Sequence, residues 1–553
     1  MAGRCDAGLP DRIHPAGVER EAGVNANPGM QPALSAAACG PPLFLAAVTV
    51  AVFLPSLSAD FVYDARLQIL TDPFLHDRRN WWPVLTFQTL AMDVLDSNRP
   101  VHLASLMLDA AVWGRAAFGY HLTSILLHAA NVVLLWAVGR RLSVAAAADP
   151  PRSGLDLAAA LLPPLMFAVH PLVTEAVCEP SFREDLLVAC FTLAALLLAA
   201  ADRPVRGGGD WPRGLACAGC CLLAIGSKES GIAAPAILAV YWFLFRRGDP
   251  ARFWAIAVGG GAAAVAVFLV LRFRLQVVPS RIFEHRPQYP DGSLAAALAL
   301  LPRILALYAQ LIVAPVNQSA DYGGHSIRHL PLPVAATVVG LLAVAAARAA
   351  RRDRRFALAL ALVVLPLLPV ANLVPIYRVA ADRYLYLPLA GVALAFGCLL
   401  DPPRLAGRDG MRRSLILGGC AATVALAIAC TERQRVWSGS LPLWQDTFAK
   451  NPRATAAVGV AWALRETGRL EEAERWARTA IDVSAGELGE SWATLAVVLE
   501  DRGRSAEARR ALAKAIEADP RLARPTERVA ALALERSYAD ALERLLDRPP
   551  AGP

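Results

Sequence analysis

The sequence predicts an all-α, polytopic membrane protein: a helical bundle of about 11 transmembrane helices, followed by a short solenoid of helical repeats outside the membrane. Three observations predict it. Of 553 residues 56% are hydrophobic and only 18% charged, and the mean hydropathy is +0.42, too apolar for a soluble chain of this size. The apolar residues gather into runs that approach the roughly 20 residues needed to cross a bilayer. Near the C-terminus, two stretches repeat with a fixed spacing.

The formal charge of +8 is carried almost entirely by arginine, since the chain has three lysines, Lys228, Lys450 and Lys514. These arginines lie in short segments between apolar runs, and no basic groove with interleaved aromatics appears, which excludes nucleic acid as the partner. Alanine and arginine enrichment fits a GC-rich bacterial genome, so the expected location is a bacterial inner membrane.

Residues 1–40 are polar, rich in Gly and Pro and nearly charge-balanced, and are expected to be a disordered cytoplasmic segment. The membrane domain then occupies 41–430, a connector 431–453 and the repeats 454–553. The first apolar run starts too far along the chain for an ordinary cleaved signal and reads as a retained anchor. Spans are predicted near Pro41–Ser58, His121–Val138, Leu157–His170, Leu186–Ala201, Gly214–Ser227, Gly231–Phe245, Phe253–Leu271, Pro333–Ala347, Phe356–Leu373, Tyr384–Leu400 and Ser414–Cys430.

Arginine orients them. Arg140, Arg141 and Arg152 follow the second span, and Arg203, Arg206 and Arg213 the fourth. Arg246, Arg247 and Arg252 follow the sixth, Arg351, Arg352, Arg354 and Arg355 the eighth, and Arg404, Arg408, Arg412 and Arg413 the tenth. Even-numbered exits are therefore cytoplasmic, the N-terminus is inside, and the segment after Cys430 is outside. The stretch Leu294–Pro315 would break this parity if it crossed and carries Pro302 and Arg303 mid-run. It reads as a re-entrant or interfacial helix, with two short spans as the alternative. Most of the ten cysteines fall inside spans, where Cys217, Cys220 and Cys221 serve as small packing residues and not as a metal or redox motif. Cys178 and Cys430 could both face the oxidising side.

In the tail, ATAAVGVAWALRETGRLEEAERWARTAI aligns with ESWATLAVVLEDRGRSAEARRALAKAI, placing Gly468 and Gly503, Ala473 and Ala508, and Ala480 and Ala515 each 35 residues apart. That is close to the tetratricopeptide (TPR) period of about 34, in which small residues let paired helices approach. A degenerate third unit is expected over 524–546.

A charge at a helix centre costs about 2.5 to 3.5 kcal/mol on insertion scales, so ionisable groups in membrane segments need a reason. Here they gather at the outer face. Asp64, Arg99, His102, His121, His170, Glu175, Arg183, Asp185, Lys228, Glu229, Asp321, Tyr322, Arg383, Tyr384 and Tyr386 all map there. Ordinary helix-end anchors would account for any one of them; the mixed set of acids, bases and tyrosines at one interface fits an outward-facing active site better than a permeation path.

Several motifs, in this order, carry a family resemblance: FVYDARLQILTDPFL, RPVHLASLMLDAAVWGRAAFGYHLTSILLHAAN, FAVHPLVTEAVCEPSFREDLL, SKESGIAAP, LIVAPVNQSADY, ADRYLYLP and VWSGSLPLWQDTFAKNP. The chain resembles the TMTC-type, TPR-containing protein O-mannosyltransferases and their bacterial relatives, of the GT-C glycosyltransferase superfamily. The resemblance implies a GT-C-like bundle that transfers a sugar, with inversion, from a polyprenyl-phosphate donor to a hydroxyl of an acceptor protein outside the cytoplasm. Asp64 would be the catalytic base, and Arg99, Arg183, Lys228 and Arg383 would bind the donor phosphate. His170, Glu175, Asp185, Glu229, Asp321, Tyr322, Tyr384 and Tyr386 would support the site. A divalent metal fits such chemistry but no ligand set is apparent, and the repeats would receive the acceptor. The family usually shows two adjacent acids where this chain has Asp64 and Ala65; Glu175 or Asp60 are candidate substitutes, and Ala65→Asp is expected to preserve or raise activity. The alternative function is a non-catalytic membrane scaffold or lipid-linked-sugar binder.

Overall fold

The computed structural model describes residues 36–92, 94–143, 154–201, 210–275, 289, 292–323, 327–328, 330–400, 408–524 and 536–547. The chain divides into two units, Met1–Pro41 and Pro42–Pro553, and the site lies within the second. Most of the expected N-terminal polar segment, Arg152, Arg203, Arg206 and Arg404, and residues 525–535 of the third repeat lie outside the described residues.

Among the described residues the chain is helical throughout, with no strand. The helices of the membrane domain are α1 (Ala36–Phe53), α2 (Pro100–Trp113), α3 (Ala117–Leu142), α4 (Gly154–Ala168), α5 (Arg183–Ala199), α6 (Trp211–Ser227), α7 (Ala233–Phe245) and α8 (Gly261–Leu275). They continue with α9 (Leu294–Val313), α10 (Leu332–Arg352), α11 (Arg354–Val364), α12 (Tyr386–Leu400) and α13 (Asp409–Val436). The tail adds α14 (Ser440–Lys450), α15 (Ala454–Glu466), α16 (Leu470–Val483), α17 (Gly489–Asp501), α18 (Ser505–Ala518) and α19 (Arg536–Asp547).

Each predicted span corresponds to a helix, but not all are long and apolar enough to cross alone. Among the described residues seven segments are: Gly40–Ser58, Ala117–Leu142, Ala251–Leu275, Leu294–Val313, Leu332–Arg352, Asp382–Leu400 and Asp409–Val436. An eighth forms if Gly154–Ala168 and Pro171–Cys178, bent by 45°, count as one. The predicted span over 356–373 instead breaks at Val364 into a 3-10 turn, Leu365–Val370, where Pro366 and Pro369 interrupt the α-helical hydrogen bonds.

Residues 294–313 form one continuous helix with the length of a span. That length is enough for a crossing helix, whereas the arginine parity predicts a re-entrant or interfacial one. Tyr289, just before it, donates to the Leu373 carbonyl (3.0 Å), Arg303 in its middle donates to Leu330 (3.0 Å), and Asp321 beyond it pairs with Arg378 (2.8 Å).

Several of the predicted arginine clusters contact neighbouring segments. Arg246 donates to the Ala201 carbonyl (3.3 Å), Arg354 to that of Leu244 (3.3 Å), and Arg412 pairs with Asp156 (2.7 Å). Small residues set the helix spacing: a Cβ at Gly391 of α12 would lie 2.7 Å from the Ala359 carbonyl oxygen of α11. Cys217 and Cys221 are buried and free, and a Cβ on Gly261 would sit 2.9 Å from the Cys221 sulfur, which is the packing role predicted for them. Cys178 and Cys430 are likewise buried free thiols.

The tail contains two helical hairpins, α15/α16 and α17/α18, at the predicted 35-residue spacing of Gly468 and Gly503. Both glycines have left-handed backbones, φ +74° and +75°. Arg469 N–H donates to Leu464 (3.0 Å) and Arg504 N–H to Leu499 (2.9 Å), closing each helix end in the same way. Nothing lies within 4 Å of where their Cβ atoms would be, so backbone conformation and not close packing selects glycine here. The small residues Ala473, Ala480, Ala508 and Ala515 are fully buried, as the repeat pattern predicts.

Candidate active site

The loops at one end of the bundle carry nearly all the singled-out polar residues. Asp64 lies in a short helical turn, Tyr63–Ala65, after α1. Tyr63 adopts φ +50°, a left-handed backbone that costs a bulky residue about 1–2 kcal/mol. Its surroundings hold it there. The ring stacks on Trp444 of α14 (5.4 Å, 25°), meets Phe182 and Trp437 edge-on at 5.7 and 6.4 Å, and lies 5.6 Å from the Arg378 guanidinium. Trp444 in turn fits because α15 has Gly459 beneath it, where a Cβ would come within 2.4 Å of the indole.

On either side of Asp64 the backbone is tied down. Asp60 N–H donates to Ser438 (3.2 Å), Ala65 N–H donates to Glu179 Oε1 (2.8 Å), and Arg66 pairs with Glu466 of α15 (2.5 Å). The Asp64 carboxylate itself is open to solvent while standing in a recess walled by protein. That enclosure raises its pKa above the ordinary carboxylate value, with Arg378 and Arg383 opposing the rise.

Around it lie three ionic groups. Arg99, at the start of α2, bonds Asp96 (2.9 Å), Glu184 (3.0 Å) and Glu229 (3.1 Å). Lys228 bonds Asp185 (2.5 Å) and Glu184 (3.2 Å) and lies 5.2 Å from the Tyr384 ring, while Arg272 closes on Glu229 (3.1 Å). In the second group Arg383 pairs with Glu175, which also accepts the Arg383 backbone N–H (2.8 Å), and its guanidinium covers the Phe182 ring at 3.8 Å. Next to it, Asp382 accepts from Tyr322 (2.5 Å) and Gln318 (2.7 Å).

Asp321 centres the third group, paired with Arg378 (2.8 Å) and with Arg453 (3.0 Å) at the foot of the tail. Asn451 donates to the Asp321 carbonyl (3.0 Å) and Lys450 to that of Gln318 (2.7 Å). Gly323 permits this docking, since a Cβ there would lie 2.4 Å from Asn451 Nδ2. Beside Asp64's recess, a cleft has Asp185, Lys228, Ser230 and Tyr384 on its polar side and Val188, Pro366, Val370, Leu387 and Pro388 on its apolar side.

The structure brings together Asp64, Arg99, Glu175, Asp185, Lys228, Glu229, Asp321, Tyr322, Arg383 and Tyr384. It withdraws three others into the core. Arg183 is fully buried and satisfied by Asp109 (2.6 Å), Tyr120 (2.8 Å), Ser105 (3.0 Å) and Ser124 (3.2 Å), which leaves nothing for a donor phosphate. Tyr386, also fully buried, bonds His128 (2.6 Å) and Asn131 (3.1 Å) between helices. His170 caps the turn after α4 and contacts the Ile312 carbonyl (3.1 Å). Arg99 stays in the site, where it bridges the carboxylates of Asp96, Glu184 and Glu229.

Sequence reasoning missed Arg378, Glu184, Asp96 and Glu179. Arg378 lies five residues before Arg383 in an irregular loop, and only the tertiary fold aims it at Tyr63 and Asp64. Of the candidate substitutes for a second acid, Glu175 is held by Arg383 and Asp60 is exposed, whereas Glu179 bonds the Ala65 amide. Asp96, His102 and Glu184 offer ligand atoms within 4.8 Å of one another. The Arg99 guanidinium already bridges the two carboxylates of that set, so these residues do not fit a divalent metal.

Fold and site define a multi-pass helical membrane protein with a dense ionic site at one end, closed over by its own helical tail. The chain is similar to TMTC-type protein O-mannosyltransferases, as the motifs implied. Protein O-mannosyl-transferase F38B6.6 of Caenorhabditis elegans is 23% identical over 473 residues, 80% of this chain and 63% of that protein. Drosophila melanogaster protein O-mannosyl-transferase Tmtc3 is 25% identical over 459 residues, 71% of this chain and 49% of that protein. Protein O-mannosyl-transferase TMTC2 of Mus musculus is 34% identical over 220 residues, 37% of this chain and 24% of that protein. The chain thus spans less than two thirds of the length of these relatives. The crystal structure of ArnT from Cupriavidus metallidurans bound to undecaprenyl phosphate aligns at 15% identity over 90% of this chain and 76% of that one, with a TM-score of 0.42. No protein-family model matches the chain.

Proposed function

We propose that this protein is a GT-C-type glycosyltransferase that moves a sugar from a polyprenyl-phosphate carrier to a protein hydroxyl on the outer face of the membrane. The observation that carries the reading is the open Asp64 carboxylate under the influence of the Arg378 and Arg383 charges, near a cleft with Asp185, Lys228, Ser230 and Tyr384 on its polar side and an apolar opposite side. In this reading the Lys228 side of the cleft faces the donor phosphate.

In this reading the acceptor hydroxyl gives its proton to Asp64 as its oxygen attacks the anomeric carbon. The bond from that carbon to the phosphate oxygen breaks on the opposite face, so configuration inverts. The leaving phosphate passes from a diester to a monoester and gains negative charge, which Lys228, Arg378 and Arg383 stabilise. General base catalysis of this kind contributes typically 10²–10⁴-fold. The tail, a TPR-type array in this reading, delivers the acceptor chain to the site against which its first helices dock.

The test is sugar transfer by the purified full chain from polyprenyl-phosphate mannose to peptide acceptors. Asp64→Asn keeps the side chain's shape and removes its basicity; turnover should fall at least about 10²-fold with donor binding unchanged. Absence of transfer from every polyprenyl-phosphate sugar, with Asp64→Asn silent in cells, would replace the enzyme with the scaffold.

A further inference from the structure

We propose that Glu179 is the positioning acid of Asp64: reaching in from a separate loop, it anchors the peptide after Asp64 and supplies the second carboxyl group that Ala65 cannot. This rests on the catalytic reading of Asp64 above. Glu179 and Ala65 are both fully buried, although 114 positions apart in sequence. Glu179 Oε1 accepts the Ala65 N–H at 2.8 Å and the Ser181 hydroxyl at 2.6 Å. Its other oxygen, Oε2, is buried with no hydrogen-bond partner.

An ionised carboxylate with one orphaned oxygen in a closed space costs more than a protonated one, which carries no buried charge. Burial first, and Asp64 nearby, push the Glu179 carboxyl well above its ordinary range, against the pull of the Ser181 hydroxyl and the Ala65 and Ser181 amides. Burial and the unpaired oxygen thus favour the neutral acid over the carboxylate at Glu179. It fixes the Asp64 loop without placing a second negative charge beside the base, so Asp64 stays ionisable. The same geometry reverses the expectation for Ala65→Asp. A carboxylate at that buried position would crowd Glu179, and the substitution alone should harm the protein.

The experiment is a cycle on the full-length protein: Glu179→Gln, Glu179→Ala, Ala65→Asp, and Ala65→Asp with Glu179→Ala, each read by melting temperature, kcat, donor KM and the pH profile of kcat. Glu179→Gln keeps an acceptor for the Ala65 N–H and should stay within about threefold of wild type. Glu179→Ala should lower kcat about tenfold at unchanged donor KM and displace the acid limb of the profile, which loss of folded protein alone would not do. Ala65→Asp should lower melting temperature and kcat, and adding Glu179→Ala should recover both. Additive losses in melting temperature across the cycle, or a Glu179→Ala profile that overlays wild type, would overturn the proposal. The melting cycle decides this even if wild type transfers no sugar, an outcome that would count against the enzyme reading instead.

Discussion

Asp64 is a single carboxylate whose basicity is set by neighbours that sequence spacing does not reveal. Enclosure raises its pKa, and Arg378 and Arg383 hold the rise in check. Because the base must be ionised, turnover should fall as pH drops through a value above the ordinary carboxylate range and level off at higher pH. Arg378→Gln removes one of the charges that favour the ionised form, so the acid limb should move to higher pH; a limb that moves down or stays fixed would remove Arg378 from the site. Asp64 and the cations Lys228 and Arg383 were legible because charged residues beside apolar runs are costly and stand out. Arg183 stood out equally, but four core partners absorb it, and that distinction between a site cation and a core cation exists only in three dimensions.

Tail helix α14 belongs to the site as much as the membrane helices do. Trp444 holds Tyr63 in its left-handed backbone next to Asp64, and Gly459 of α15 makes room for Trp444. Trp444→Ala should free Tyr63 to relax, lowering kcat about tenfold with donor affinity intact, and Gly459→Leu should do the same by displacing the indole. The check is the split between kcat and donor binding; a proportional loss of both would mean general unfolding. At the far end of each hairpin the requirement is different. Gly503→Val should destabilise the tail by about 1–2 kcal/mol, because a side chain resists φ +75°, and Gly503→Asn by less. Urea unfolding followed by tail tryptophan fluorescence measures it.

For the molecule as a whole, the arginine bias predicts a topology that a reporter fusion can test. Arg246, Arg354 and Arg412 meet loops away from the site, while Asp64, Lys228, Asp321 and Arg383 share the other end. A reporter active only outside the cytoplasm should therefore work when fused after Leu546 and fail after Arg355. Activity from the Arg355 fusion would mean that Leu294–Val313 crosses the membrane and the parity is reversed. The two ends also differ in composition: arginine dominates one, and mixed acids and bases gather at the other.

By itself, the sequence determined the class of structure: a multi-pass helical protein with a helical tail. Span length, arginine placement and the 35-residue spacing of Gly468 and Gly503 are local or periodic properties, and helices follow from them because helical hydrogen bonds close within a few residues. Only the tertiary structure decided which polar residues share a site. Glu179 meets Ala65 across 114 positions and Arg66 meets Glu466 across 400, and no periodicity encodes such pairs. They form because loops at one end of a bundle converge once the helices have packed, and a buried charge accepts whichever partner that packing brings within hydrogen-bond reach.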